Sequence, residues 1–248
     1  MVKKTAAILA LLVAATLAQA QEYSSLHWSY EGESGPAHWG DLSSEFAECK
    51  SGHQQSPIDI RKTVASDLPA IKFDYQPSQL KIIDNGHTVQ VNYAPGSWIT
   101  VGEKRYQLLQ FHFHHPSEEE IDGKSHDMVA HLVHSDDDGN KAVVAVLLSR
   151  GESNALLKTV FAHIPATKGK EEAAEVTINA SDLLPKNTAY YTFPGSLTTP
   201  PCSEGVTWLV LKTAKTLSKE ELESFARLYP HNARPVQPLN DRKVLASH

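Results

Sequence analysis

Short runs in which apolar and polar residues alternate, or in which β-branched residues crowd together, recur along this chain between clusters of turn-forming residues. The pattern predicts strands over Ile83 to Tyr93, folded about Asn85-Gly86, and over Ser97 to Val101, Tyr106 to His114, Asp127 to His134, Lys141 to Leu148 and Val206 to Thr213. Helical spacing is confined to two main places. Ser153 to His163 carries apolar residues at helical intervals, and Leu217 to Leu228 opens with Ser218 and Glu221 in capping-box spacing. Proline and glycine recur from Pro185 to Pro201, which predicts an extended segment and a shaped loop before the last long strand. No internal repeat or low-complexity linker divides the chain, so the expectation is one domain, mainly β with peripheral helices.

The N-terminus carries a separate signal. Lys3 and Lys4 precede an apolar run, Ala6 to Leu17, that leads into Ala18-Gln19-Ala20; this predicts a secretory signal peptide over residues 1–20 and a mature domain over 21–248. The run is about 12 residues, short of the roughly 20 that a helix needs to cross a bilayer, which disfavours an uncleaved anchor. A periplasmic or secreted location follows. Without Lys3 and Lys4 the 23 basic residues become 21 against 29 acidic ones, and the formal net charge goes from −6 to −8. That balance argues against nucleic acid or an anionic membrane as a partner. In an oxidising compartment Cys49 and Cys202 are expected to pair as a disulfide, with two buried free thiols as the alternative. Such a bridge closes a loop of about 150 residues, stabilises the fold by roughly 3 to 5 kcal/mol in the chain-entropy model, and ties Pro200-Pro201 to the N-terminal third.

Three histidines crowd into Gln110-Phe111-His112-Phe113-His114-His115. On a strand successive side chains alternate, so Leu108, Gln110, His112 and His114 are expected on one face, with Leu109, Phe111, Phe113 and His115 on the other. Two imidazoles at i and i+2 can share a small ion, whereas immediate neighbours cannot without a bulge. The next strand offers His131, with Val129 and Val133 on its face and His134 opposite. His112, His114 and His131 are therefore the candidate metal set. Three neutral imidazoles suit Zn2+ and leave a fourth tetrahedral position for water, the arrangement of a catalytic site. A rival is the start of a cupin motif, His112-x-His114-x-x-x-Glu118, with the glutamate on iron or manganese. Gly123 comes too early for that motif, and nothing after His131 supplies its second half.

The order of the motifs resembles an α-class carbonic anhydrase of the bacterial exported type. It runs from His27-Trp28-Ser29-Tyr30 through Gln55-Ser56-Pro57-Ile58-Asp59-Ile60, Asn85-Gly86-His87 and the histidine-rich strand. It continues through His131-Leu132-Val133-His134 and Gly195-Ser196-Leu197-Thr198-Thr199-Pro200-Pro201 to Arg234-Pro235-Val236-Gln237-Pro238-Leu239. The resemblance covers nearly all of the mature chain. It implies a large, mostly antiparallel twisted sheet of about ten strands with zinc at the floor of a cleft, where bound hydroxide attacks carbon dioxide to give bicarbonate. It implies zinc ligation by His112, His114 and His131, orientation of the nucleophile by Glu118 and Thr198, and contact of bicarbonate with Thr199. It further implies an apolar wall of Val133, Val143, Leu197, Val206 and Trp208, where ordinary core is the alternative for each valine. His87 matches the proton shuttle, and Tyr30, Asn85 and Gln90 match the polar positions of the water path. The partner is a small molecule, and a homodimer is left open.

A metal-bound imidazole normally donates its second N–H to an outer partner. By the resemblance, Gln110 serves His112 and the carbonyl of Asn232 serves His114. For His131 the family usually supplies a glutamate two residues earlier, and here that position is Val129. The residue after Glu118, usually histidine or asparagine in the family, is Glu119. The expectation is that the carboxylate has moved, so that Glu119 accepts from His131 directly or through a water; the alternative is a solvated Glu119 and a His131 without a protein partner. His115, His126 and His134 are expected to be non-ligands. Phe193 stands where many relatives have tyrosine.

Overall fold

A computed structural model describes residues 27–248; the proposed signal peptide over residues 1–20 lies outside the described residues. The predicted strands form as alternating segments whose buried positions face one of two cores. Ser78–Asp84 and Val89–Asn92 make a hairpin about Asn85-Gly86, followed by Trp98–Val101, Lys104–His114, Met128–Ser135, Lys141–Arg150 and Glu204–Leu211. Gly86 has φ +89, a conformation that a side chain strains, and this suits the glycine to the hairpin tip.

These strands belong to a 13-stranded sheet with a continuous path of ten. Neighbours along that path are antiparallel except where Lys141–Arg150 meets Glu204–Leu211 and where Val244–Ala246 meets Thr63–Ala65. The sheet also takes in segments that the pattern did not mark as strands. Glu171–Ile178 pairs at one edge, with an irregular register and mostly solvent-facing residues, so no alternation announces it. Tyr190–Ser196, within the stretch predicted to be merely extended, pairs fully with Glu204–Leu211. Its glycine is placed where a Cβ would lie 2.2 Å from Ser56 Oγ and 2.6 Å from Trp208 Cδ1, which is why a residue of low strand propensity stands inside it.

The two predicted helices are Ala155–Ala162 and Lys219–Ala226. Asn154 caps the first, and the Ser218–Glu221 capping box opens the second. Leu156, Leu157, Val160, Phe161 and Phe225 pack with one face of the sheet, including Phe111, Phe113, Leu132, Val144 and Val146. Removing that much apolar surface from water is the main stabilising term and leaves the opposite face free to carry polar chemistry.

One expectation needs correcting. Leu108 was placed beside Gln110 and His112, but it is buried in the helix-side core with Phe111. The register between Met128–Ser135 and Lys104–His114 shifts at Val133/His134, where Val133 faces Gln110 and His134 faces Leu108. Leu109 is the extra residue of this bulge and is exposed.

Cys49 and Cys202 form a disulfide spanning 153 residues. With Trp39 they make a third small core, on which Trp28, Tyr30, Leu42 and Phe46 pack. The bridge fastens the N-terminal segment to the loop after Tyr190–Ser196, where Cys202 N–H donates to the Thr199 carbonyl.

Candidate metal and catalytic centre

Register brings the three histidines together. Opposed residues of paired strands share a face, and His131 lies directly opposite His112, with Val129 opposite His114 and Val133 opposite Gln110. Among the described residues, His112, His114 and His131 form a group whose candidate ligand atoms all lie within 4.8 Å of one another. His115, His126 and His134 are outside that group. His115 Nδ1 pairs with the Asp127 carbonyl at 2.6 Å, His126 Nδ1 with Ser149 Oγ at 2.8 Å, and His134 Nε2 with the Tyr75 hydroxyl at 2.9 Å.

Each ring of the group has one nitrogen engaged outward. His112 Nδ1 meets Gln110 Oε1 at 2.8 Å, and His114 Nδ1 meets the Asn232 carbonyl at 2.7 Å. His131 Nε2 meets both oxygens of Glu119, at 3.1 and 3.2 Å. The nitrogens that remain are Nε2, Nε2 and Nδ1, and they face one another. An acceptor on the outer nitrogen fixes the N–H there and leaves an inward lone pair. Burial and the neighbouring imidazoles push the His114 pKa well below its usual value, and burial with His131 takes His112 down to about 3, so both rings are neutral at pH 7. His131 also loses solvation, but Glu119 and Glu118 oppose that and raise its pKa.

The centre fits a cation. His114 Nε2 and Glu118 Oε2 are buried with no hydrogen-bond partner, and they lie 3.4 Å apart. Unpaired buried polar groups of this kind are costly, and a lone-pair donor set of three imidazoles is what zinc takes. Glu118 is held by the Arg234 backbone N–H on Oε1 at 2.8 Å. Burial raises its pKa to about 7 in the absence of an ion, partly opposed by His131, with Thr198 also favouring the ionised form. Thr198 is thus a neighbour of the carboxylate, although Oε2 has no partner in hydrogen-bonding geometry.

The sheet face around the centre is graded from polar to apolar. One row of opposed residues reads Gln90, His112, His131, Ala145, Val210, and the next reads Asn92, Gln110, Val133, Val143, Trp208. Val143, Val206 and Trp208 are buried in one cluster, against which Val133 and Leu197 pack. At the polar end a cleft of about 130 Å³ is lined by Tyr30, Asn85, His87, Gln90, His112, His114 and Thr199, among others. Asn85 Nδ2 reaches Gln90 Oε1 at 3.4 Å, and the buried Tyr30 hydroxyl has no partner. The His87 ring stacks on Trp28 with centroids 3.7 Å apart and planes 7° from parallel. Burial, His27 and Lys168 together lower its pKa.

Sequence pattern missed three contributors. Trp28 stands in a sequence motif that gives it no role of its own, and the roles of Arg234 N–H and the Asn232 side chain depend on contacts with residues more than 110 positions away. No local pattern announces such contacts.

The chain was compared with known proteins. A family model described as eukaryotic-type carbonic anhydrase matches residues 34–248. A protein named carbonic anhydrase from Neisseria gonorrhoeae is 47% identical over 238 residues, covering 95% of this chain and 94% of that protein. The structure of an α-carbonic anhydrase from Thermovibrio ammonificans with sulfanilamide superposes with TM-score 0.86 at 43% identity, covering 89% and 99% of the two chains. A hyperthermostable carbonic anhydrase from an active hydrothermal vent chimney gives TM-score 0.87 at 48% identity, covering 90% and 100%.

The buried His134 ring gives a test of which histidines titrate. Burial holds its pKa down to about 3, below the ordinary 6.5. The unfolded chain therefore takes up a proton below pH 6.5 that the folded one refuses, so this group's contribution to stability falls as pH drops from 6.5 towards 3. His134→Gln should flatten the acid limb of stability by up to about 1.4 kcal/mol per pH unit in that window. Denaturant midpoints at pH 7, 6, 5 and 4 measure it; parallel limbs for the two proteins would contradict it.

Proposed function

The chain belongs to the eukaryotic-type carbonic anhydrase family, and from that premise we propose that His112, His114 and His131 hold a zinc ion for the reversible hydration of carbon dioxide to bicarbonate and a proton. The supporting observation is the set of three inward ring nitrogens, each left free because its partner nitrogen is engaged by Gln110, Asn232 or Glu119. Zinc held by three imidazoles supplies a bound water with pKa near 7 and hence hydroxide at neutral pH, a property for which carbonic anhydrase is the reference case.

The surrounding residues then have definable work. An ionised carboxylate only accepts hydrogen bonds, so Glu118, with Oε1 taken by Arg234 N–H, offers Oε2 to the Thr198 hydroxyl. With its proton so committed, the Thr198 oxygen accepts from the attacking water and sets the direction of the lone pair. Val133, Val143, Leu197, Val206 and Trp208 hold carbon dioxide, which has no dipole, against an apolar surface that competes poorly for water. Thr199, lining the cleft, meets the polar product.

Each hydration also releases a proton that must leave. His87 lies in the same cleft, with Tyr30, Asn85 and Gln90 positioned to hold the intervening waters. Its pKa, lowered from 6.5 by partial burial and nearby positive groups, favours release to solvent.

The Cys49–Cys202 bridge and the bacterial relatives are consistent with an exported protein. No helix among the described residues is long and apolar enough to cross a membrane. We assign residues 1–20 as the signal peptide and the periplasm or the exterior as the destination.

Two experiments test this reading. Purified protein should contain one equivalent of zinc and hydrate carbon dioxide in stopped flow. His87→Ala should slow turnover mainly in weak buffer, by about 100-fold. Zinc without hydration would make the protein a binding domain, iron or manganese would favour an oxygenase-like centre, and an unchanged rate in weak buffer would remove His87 as the relay.

Glu119 takes the place of the missing carboxylate at Val129 as the acceptor that orients His131. Glu119→Ala should speed zinc loss to a chelator by roughly 10- to 100-fold, and adding Val129→Glu to that variant should recover most of the loss. Equal zinc retention by Glu119→Ala and the unmodified protein would sink the assignment.

A further inference from the structure

Asn232 lies in the loop after the helix Lys219–Ala226, is fully buried, and uses every polar atom it has. Its backbone N–H donates to the His115 carbonyl at 3.0 Å, and its Oδ1 accepts from the His115 N–H at 2.8 Å. It thereby acts as a strand partner for the residue just beyond the strand Lys104–His114. Its backbone carbonyl accepts from His114 Nδ1 at 2.7 Å. Its Nδ2 donates twice, to the Phe113 carbonyl at 3.0 Å and to the His87 carbonyl at 3.0 Å.

Those partners belong to two otherwise separate devices. His114 carries an inward nitrogen of the metal centre, while His87 is in the hairpin loop between Ser78–Asp84 and Val89–Asn92. The other links between them are the pairing of Val89–Asn92 with Lys104–His114 and the Thr88 hydroxyl, at 2.5 Å from the Phe113 carbonyl. Thr88 acts one residue beyond His87, whereas Asn232 grips the His87 peptide itself. A buried amide with all its hydrogen bonds made is rigid, because any displacement leaves a polar group unpaired. One residue therefore sets both the angle of the His114 ring, through its backbone carbonyl, and the position of the His87 peptide, through its side-chain amide.

We propose that Asn232 is a positioning residue that holds the metal centre and the proton relay in register with each other, so that ion retention and proton export depend on one amide. The relay half rests on the assignment of His87 made above; the retention half does not.

The test uses Asn232→Asp, which keeps the shape, the backbone carbonyl and an acceptor oxygen but removes both Nδ2 donors, with Asn232→Ala beside it. Zinc loss to a chelator should accelerate by about tenfold. Turnover in weak buffer should fall by about tenfold, kcat/KM should fall less, and added imidazole should restore the difference. In a His87→Ala background, Asn232→Asp should lower weak-buffer turnover no further but still speed zinc loss. An unchanged rate of zinc loss overturns the retention half. Equal losses in turnover and kcat/KM without imidazole rescue overturn the relay half and leave Asn232 a merely structural residue. If His87→Ala shows no defect in weak buffer, the His87 assignment fails and so does the relay half, while zinc loss still decides the retention half. Should both variants fail to fold, the unmodified protein decides: adding zinc to the metal-free form should shift the Asn232 side-chain amide in NMR and slow its hydrogen exchange, and an unmoved resonance overturns the proposal.

Discussion

The pairing of His131 with His112 across two antiparallel strands is the constraint on which the centre depends. A slip of one residue would turn His131 to the other face, among Phe111, Phe113 and Leu132, and destroy the three-nitrogen set. Burial on both sides prevents the slip. Ala130 and Leu132 are fixed in the helix-side core while Val129 is fixed in the opposite one, so neither set can change places without exposing apolar surface or burying an imidazole unpaired. The bulge at Leu109 protects this arrangement, because it absorbs a change of parity three residues before His112 and leaves the paired stretch from Gln110 to His114 regular.

The same register makes the sheet face asymmetric. Moving along a row from Gln90 through His112 and His131, the residues become Ala145 and Val210; along the next, Asn92 and Gln110 give way to Val143 and Trp208. Polar side chains that can order water therefore lie on one side of the histidines and a surface that excludes it lies on the other. A reaction that takes up an apolar gas and sends out a proton needs both properties within a few ångströms. A graded sheet provides them without a separate channel.

Much of this was legible in the sequence because strand alternation is a local property. The split of His112 and His114 from His115 follows from a period of two, and the helices Ala155–Ala162 and Lys219–Ala226 announce themselves by caps and apolar spacing. Pattern failed where pairing partners are distant. The face of Leu108 depends on a bulge that the neighbouring strand sets, and the strand Tyr190–Ser196 is hidden by a glycine that answers to Ser56 and Trp208. Arg234 and the Asn232 side chain illustrate the limit most clearly, since the resemblance alone, and no pattern, gives the Asn232 carbonyl as the partner of His114. Both residues stand in a loop with no periodicity, yet the Arg234 N–H holds Glu118 and the Asn232 amide holds the carbonyls of Phe113 and His87.

The buried charges around His131 leave no donor for a further carboxylate beside it. The His131 ring lies between two acids, with Nδ1 3.8 Å from Glu118 Oε2 and Nε2 3.1 Å from Glu119 Oε1. Both carboxyl groups are shut away from water, and without an ion burial drives Glu118 towards its neutral form. A divalent cation at the inward nitrogens would offset both carboxylates together, which a single imidazolium could not do. A third carboxylate at position 129 would add like charge facing an N–H already shared by both oxygens of Glu119, with no donor left to satisfy it. Valine there instead packs with Ile58, Ile60 and Leu147 on the apolar side of the centre. With Glu119 engaging His131 Nε2 from the segment that also carries Glu118, position 129 is left to the apolar core.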